Sequence, residues 1–298
     1  MIRHIATSRL SIAYEESGPA DGPPVVLLHG FPYSPRAYDG VAAILAAQGL
    51  RTIVPYLRGF GPTRFLHADI LRSGEQAALG TDLIEMIAAM GVNRPIVAGY
   101  DWGGRAACVA AAVRPDLVGA LVTAGGYNLF GRPTTEPLPP ETEHVLWYQY
   151  YLHTERGRTM LERNRRGFCR LLWTLWSPAW PFSEETFEQS AASLDCPDFV
   201  EVVLHSYRHR SGLAAGDPTL QDLADKLEYE QPPITISTIA LHGDAGALPA
   251  ATMPAGDADL FRSSFDRRIL KGIGHNIPQE APAAFAQAVI DLLPAARS

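Results

Sequence analysis

Short, wholly apolar runs alternate with stretches of helical period over the first part of the chain. Val25-Val26-Leu27-Leu28 is one such run, as expected of a strand covered on both faces in a parallel sheet. Pro95-Ile96-Val97-Ala98 repeats the pattern, and Arg51-Thr52-Ile53-Val54 and Leu117–Thr123 read as further short strands. Between them, Tyr38–Gln48 and Ser73–Met90 read as helices stopped by Gly49 and Gly91, and Trp102–Val113 as a helix with an inner face of Gly and Ala. Ile2–Tyr14 alternates enough for one or two leading strands, and Gly18–Pro24 is a turn cluster. Strands alternating with helices predict an α/β protein with a mostly parallel, doubly wound sheet.

The alternation stops at Gly131-Arg132-Pro133. From there to about Glu230 the chain carries helical segments and turns without a buried strand, bounded by Pro137, Pro139 and Pro140 at one end and Pro232-Pro233 at the other. The strand pattern resumes over Ile234–Leu241 and Arg267–Leu270, and Ala281–Leu293 reads as a closing helix. The expected organisation is a core made of residues 1–132 and 231–298, interrupted by a helical cap over 133–230.

Composition narrows the class of function. Hydrophobic residues make up 47% and charged residues 19% of the 298, which suits a packed globular protein. The net charge of -7 argues against nucleic acid, whose phosphates need a cationic face. The arginines Arg156, Arg158, Arg163, Arg165, Arg166 and Arg170 read as a solvated helix face. No apolar run is long enough to span a bilayer, so no membrane partner is expected. Met1–Ile5 lacks the charged-then-apolar pattern of an export leader, and a cytoplasmic setting is expected. Cys108, Cys169 and Cys196 are scattered, without metal-type spacing, and are read as reduced structural thiols. Neither a metal nor a phosphate loop is expected: Arg58-Gly59-Phe60-Gly61 has no following Lys-Ser/Thr.

The chemistry centres on Val97-Ala98-Gly99-Tyr100-Asp101-Trp102-Gly103-Gly104. A strand must turn sharply into a helix there, and a residue on such a turn projects above the sheet. Asp101 stands at that point. Its carboxylate could cap the helix, or attack a carbon electrophile and leave an ester that water later cleaves. His275, in Gly274-His275-Asn276-Ile277-Pro278 after the last strand, can serve as base. His29-Gly30-Phe31-Pro32 follows an early strand, where the Phe31 N–H, with that of Trp102, can form an oxyanion hole.

These residues in this order resemble the α/β-hydrolase fold family over nearly the whole chain. An Asp nucleophile followed by Trp-Gly-Gly resembles its epoxide hydrolase and haloalkane dehalogenase branch. Haloalkane dehalogenases usually place an Asn or Trp in the oxyanion loop as a second halide donor, where this chain has Phe31. Epoxide hydrolases carry His-Gly-x-Pro, as here, and two cap tyrosines that hold the epoxide oxygen. Trp147-Tyr148-Gln149-Tyr150-Tyr151 and Ser206-Tyr207-Arg208 resemble the two tyrosine stretches, which implicates Tyr148 and Tyr207. Fluoroacetate dehalogenases place Arg directly after the nucleophile; here that residue is Trp102, and Arg105 is read as structural.

The resemblance implies a cofactor-free hydrolase that takes a small apolar epoxide and water to a diol through an ester on Asp101, as a monomer or homodimer. Phe31, Trp102, Tyr148 and Tyr207 are the expected substrate contacts. A haloalkane dehalogenase using the same ester, and a catalytically weak ligand-binding protein of this fold, are the alternatives. One departure favours the last. The family's His-orienting acid falls at Gly246, and the other known location reads Ala124-Gly125-Gly126. Asp244 is the nearest carboxylate and is assigned to orient His275, with Asp257 and Asp259 as further options.

Overall fold

A computed structural model describes residues 1–131, 133, 135–246 and 257–296. Nine strands form one sheet: β1 (Ile2–Ala6), β2 (Leu10–Ser17), β3 (Pro24–Leu28), β4 (Arg51–Pro55), β5 (Arg64–Phe65), β6 (Ile96–Tyr100), β7 (Ala120–Ala124), β8 (Thr238–Gly243) and β9 (Phe265–Leu270). Their spatial order is β1-β2-β4-β3-β6-β7-β8-β9, with β5 beside β2. From β4 to β9 every pairing is parallel; β2 meets β1, β4 and β5 antiparallel.

The apolar runs are the central strands. Val25 to Leu28 and every residue of β6 and β7 are buried, because helices cover both faces of the sheet. Those helices include α1 (Asp39–Ala47), α2 (Gln76–Met90) and α3 (Asp101–Val113). In the register of β3 on β6, Leu28 lies opposite Gly99. The two strands therefore end level, and the loop after β3 leaves the sheet beside the turn after β6.

Three boundaries differ from the sequence expectation. α2 starts at Gln76 rather than Ser73, whose side chain accepts from the Glu75 N–H at 3.2 Å while Gly74 lies against the Val202 carbonyl. The run Ile234–Leu241 is split: Ile234 makes a lone parallel bridge to Phe261, and β8 begins at Thr238, whose hydroxyl turns back to the Ile236 carbonyl. β5 is only two residues long, too short for a pattern to reveal.

Among the described residues of 133–230 there is no strand. The segment carries α4 (Pro140–Val145), α5 (Trp147–Leu152), α6 (Glu155–Trp176), α7 (Glu184–Ala191) and α8 (Phe199–Arg210), followed by short turns. Arg132 and Thr134, at the expected start of the insertion, lie outside the described residues. Thr154 caps α6 by accepting from Gly157 N–H at 3.1 Å, and Ser183 caps α7 through Thr186 N–H at 3.1 Å. Three arginines of α6 face neighbouring carboxylates: Arg166 pairs with Asp195 at 2.6 Å, Arg158 with Glu201, and Arg170 with Glu184, whereas Arg165 donates to the Leu194 carbonyl at 3.0 Å. Beneath α8, Arg58 is fully buried in a two-pronged pair with Asp82, both contacts at 2.6 Å, and donates to the Ser73 carbonyl at 2.9 Å. That pair is structural, in keeping with the turn read from Arg58–Gly61. All three cysteines are buried and unpaired. No helix among the described residues is long and apolar enough to cross a membrane.

Candidate active site

Asp101 is the first residue of α3, immediately after β6, and has a φ of +51°. That left-handed backbone costs a residue with a Cβ about 1–2 kcal/mol, and strain of this kind gathers where a side chain must be aimed. The turn is tight because α3 meets β3 closely: a Cβ on Gly103 would lie 2.0 Å from the Leu28 carbonyl oxygen. Asn128, after β7, braces the turn by donating from Nδ2 to the Asp101 carbonyl at 3.0 Å.

The two carboxylate oxygens of Asp101 have different surroundings. Oδ1 accepts from the backbone N–H of Phe31 at 2.8 Å and of Trp102 at 2.7 Å. Oδ2 lies 3.6 Å from Nε2 of His275. Burial pushes the carboxyl up, but the His275 ring, the charge of Arg105 and the Trp102 N–H outweigh it and hold Asp101 below the usual carboxylate range. It is therefore ionised at neutral pH, with one oxygen engaged and the other turned to the site.

The Phe31 N–H is held in place by His29. Nδ1 of His29 meets the Gly30 carbonyl at 2.9 Å and Nε2 accepts from Leu57 N–H at 3.2 Å. One ring nitrogen donates and the other accepts, so the imidazole is neutral, and burial pulls its pKa down to about 4. The Phe31–Pro32 peptide is cis.

His275 sits in the loop between β9 and the helix Pro282–Asp291. Its backbone N–H donates to Ser177 Oγ at 3.0 Å and to the Trp176 carbonyl at 3.2 Å. Ser177 Oγ in turn donates to Glu280 Oε1 at 2.6 Å. Glu280 also accepts from Gly274 N–H at 2.7 Å and Asn276 N–H at 2.9 Å. Glu280 and Ser177 thus clamp the loop from two sides, and sequence reading singled out neither. The available signal was an acid five residues beyond the histidine, at the end of the short helix Ile277–Glu280.

The orienting acid expected at Asp244 is not found there. Asp244 is exposed and accepts from Gly272 N–H at 2.6 Å, bracing the turn after β9. Among the described residues, Asp101 is the only carboxylate within ion-pair distance of the His275 ring. Asp259 is exposed in the short turn Asp257–Leu260. Residues 247–256 and the Asp257 side chain lie outside the described part. Gly246 does face the histidine loop: a Cβ built on it would lie 3.5 Å from His275 N and 3.4 Å from the Gly274 carbonyl carbon, ordinary contact distances.

Aromatic side chains gather between the oxyanion loop and the His275 ring. Tyr148 from α5 and Tyr207 from α8 are both buried, with ring centres 5.4 Å apart and planes at 85°. Tyr207 is 5.5 Å from the Phe31 ring and 6.0 Å from Trp102. Tyr148 is 5.0 Å from Trp176, which is 5.0 Å from the His275 ring. Phe31 stacks on Trp102 at 5.5 Å. Gln149 Nε2 donates to the Tyr148 hydroxyl at 3.2 Å. Burial is the main cause that raises both phenols above the ordinary tyrosine value, Tyr207 well above it. The residues predicted from sequence to act together therefore converge, Asp244 excepted. No group of three metal-ligating side chains occurs among the described residues.

Comparison with known proteins gives the same neighbourhood. A family model described as the alpha/beta hydrolase fold matches residues 23–190. The haloalkane dehalogenase of Mycobacterium marinum is 34% identical over 143 residues, covering 47% of this chain and 45% of that one. Epoxide hydrolase B of Mycobacterium tuberculosis is 30% identical over 161 residues, covering 49% and 45%. The chain spans about half the length of the curated relatives it matches. Among solved structures, a "putative epoxide hydrolase" from Klebsiella pneumoniae is 40% identical with a TM-score of 0.94, covering 100% of this chain and 97% of that one.

Proposed function

The chain belongs to the alpha/beta hydrolase fold family, and from that premise we propose that it hydrolyses epoxides to vicinal diols through an ester on Asp101, without a cofactor. The observation that carries this reading is the crossed pair Tyr148 and Tyr207 beside the Asp101 carboxylate. An epoxide oxygen leaves as an alkoxide and needs a proton donor; a halide does not.

In the first half-reaction Asp101 Oδ2 attacks a ring carbon. The carbon–oxygen bond of the ring breaks as the oxygen accepts hydrogen bonds, then a proton, from the phenols. In the second, His275 takes a proton from water, and the resulting hydroxide adds to the Asp101 carboxyl carbon. The negative charge develops on Oδ1, where the Phe31 and Trp102 N–H groups already point. Donors of this kind are worth about 3 kcal/mol each in the transition state. Collapse expels the diol as its alkoxide with Oδ2, which takes the proton of the imidazolium, and the proton left on the Asp101 carboxyl returns to the phenolate, restoring both groups. Ester hydrolysis is the half that depends on His275, whose ring meets no described carboxylate other than Asp101.

Single turnover in heavy-oxygen water followed by mass spectrometry of the Asp101 peptide tests the route. Label in Asp101 is expected, and turnover without label would exclude the ester.

One observation favours a second reading. Trp102 Nε1 is buried without a partner, a donor that could hold a halide, as a haloalkane dehalogenase requires. Halide release from bromoalkanes with no diol from epoxides would decide for it.

A further inference from the structure

Behind the tyrosines stand two guanidinium groups that the reaction above does not use. Arg105 lies on α3 one turn beyond Asp101 and is only 8% exposed. Arg210 ends α8, three residues after Tyr207. Both rest against Phe130, with guanidinium carbons 4.2 Å and 4.6 Å from its ring centre, and Arg210 is also 4.9 Å from the ring of Tyr207. Neither guanidinium donates a hydrogen bond to, or pairs with, any described residue. Nε of Arg105 and Nη2 of Arg210 are buried without an acceptor.

The two groups line one small pocket, partly open to solvent, together with Gln76, Phe130, Ser206 and His209. Two carboxylates also line it, Glu75 and Glu228. Glu75 is turned elsewhere: it accepts from Asp217 N–H at 3.0 Å and meets His209 Nε2 at 3.2 Å. Neither acid comes within ion-pair distance of Arg105 or Arg210.

Two like charges near each other, Arg105 buried and Arg210 half-buried, without hydrogen bonds are unfavourable unless an anion joins them. Burial first, and Arg210 second, pull the Arg105 pKa down to about 9. Arg105 follows Asp101 by one turn of α3 and Arg210 rests on the ring of Tyr207, so the pocket shares its helix and its aromatic wall with the site of the nucleophile. Planar guanidinium forks match a carboxylate in a two-pronged geometry.

We infer that Arg105 and Arg210 form an anion subsite for a carboxylate of the substrate, so that the reacting molecule is an epoxide carrying an acid group beyond a short apolar span. The inference rests on the epoxide reading for its chemistry, while the anion subsite stands on the arginines alone. The apolar span faces Phe130 and the Tyr207 ring, and the acid reaches the unpartnered nitrogens. Arg105, read from sequence as structural, is thereby a specificity residue.

The test compares an epoxide bearing a terminal carboxylate with its methyl ester, and separately titrates butyrate into the protein by calorimetry. The acid is expected to exceed the ester in kcat/KM by about 10-fold or more, as for a charge-assisted hydrogen bond. That ratio collapses in Arg105→Gln and Arg210→Gln and is partly kept by Lys at either position, which separates charge from packing. Butyrate binds the unaltered protein and not the doubly substituted one. Equal use of acid and ester by the unaltered protein, or butyrate binding indifferent to the substitutions, overturns the inference. So does displacement of butyrate by equimolar chloride, which marks a general halide site. Butyrate needs no turnover: arginine-dependent binding without epoxide hydrolysis sinks only the epoxide chemistry, and hydrolysis without acid preference or butyrate binding sinks only the subsite.

Discussion

Asp101 holds one oxygen against two backbone donors and leaves the other facing His275, and several outcomes turn on single side chains around it. The base lacks an orienting acid among the described residues, yet a Cβ on Gly246 would meet its loop at ordinary contact distance, without a clash. Gly246→Asp is therefore expected to speed ester hydrolysis by about 10-fold or more, since an oriented, correctly tautomeric histidine carries a large share of such catalysis. The readout is the fraction of protein carrying the ester at steady state, by intact mass; an unchanged fraction in a folded variant refutes the argument. The phenols give a pH prediction. Burial raises the pKa of both Tyr148 and Tyr207, so their protonated, donating form persists above the free tyrosine value of about 10. Ester formation followed by rapid quench should stay level through about pH 10, whereas a fall with a midpoint below that value contradicts the assignment of the phenols as donors.

At the scale of elements, β3, β6 and β7 were legible because strands buried on both faces must be apolar throughout, and the turn at Asp101 because glycines flank it. α2 was read three residues too long: Ser73 and Gly74 have helical neighbours in sequence, but their side-chain and packing contacts pull them out of the helix. The site also depends on how α2 is joined to the loop after β4. Arg58 and Asp82 do this with a buried, two-pronged pair. Asp82→Ala leaves the guanidinium buried and uncompensated, and is expected to cost about 3–5 kcal/mol of a total stability that is typically about 5–15 kcal/mol. Urea unfolding monitored by tryptophan fluorescence checks this; a loss below about 1 kcal/mol would mean the pair behaves as a surface ion pair.

Across the whole molecule, what the sequence hid is what distant segments make together. Asn128 reaches Asp101 from 27 residues away, and Ser177 reaches His275 from 98. No local pattern marks such partners, and nothing in the spacing of Arg105 and Arg210 told of their shared cavity. The contact between Ser177 and the histidine loop has a further consequence. The end of α6, part of the helical layer that carries the tyrosines, hydrogen-bonds the N–H groups of His275 and Asn276. Lifting that layer to admit substrate would strip the histidine of its backbone supports. Access and chemistry then work as an interlock: an open molecule lacks a placed base, so the ester on Asp101 is cleaved only once the layer has closed again. Hydrogen exchange should report it, with the amides of His275 and Asn276 exchanging in step with those of the last turn of α6 and slowing together when a ligand closes the site. Independent exchange of the two segments would show that the layer moves without disarming the base.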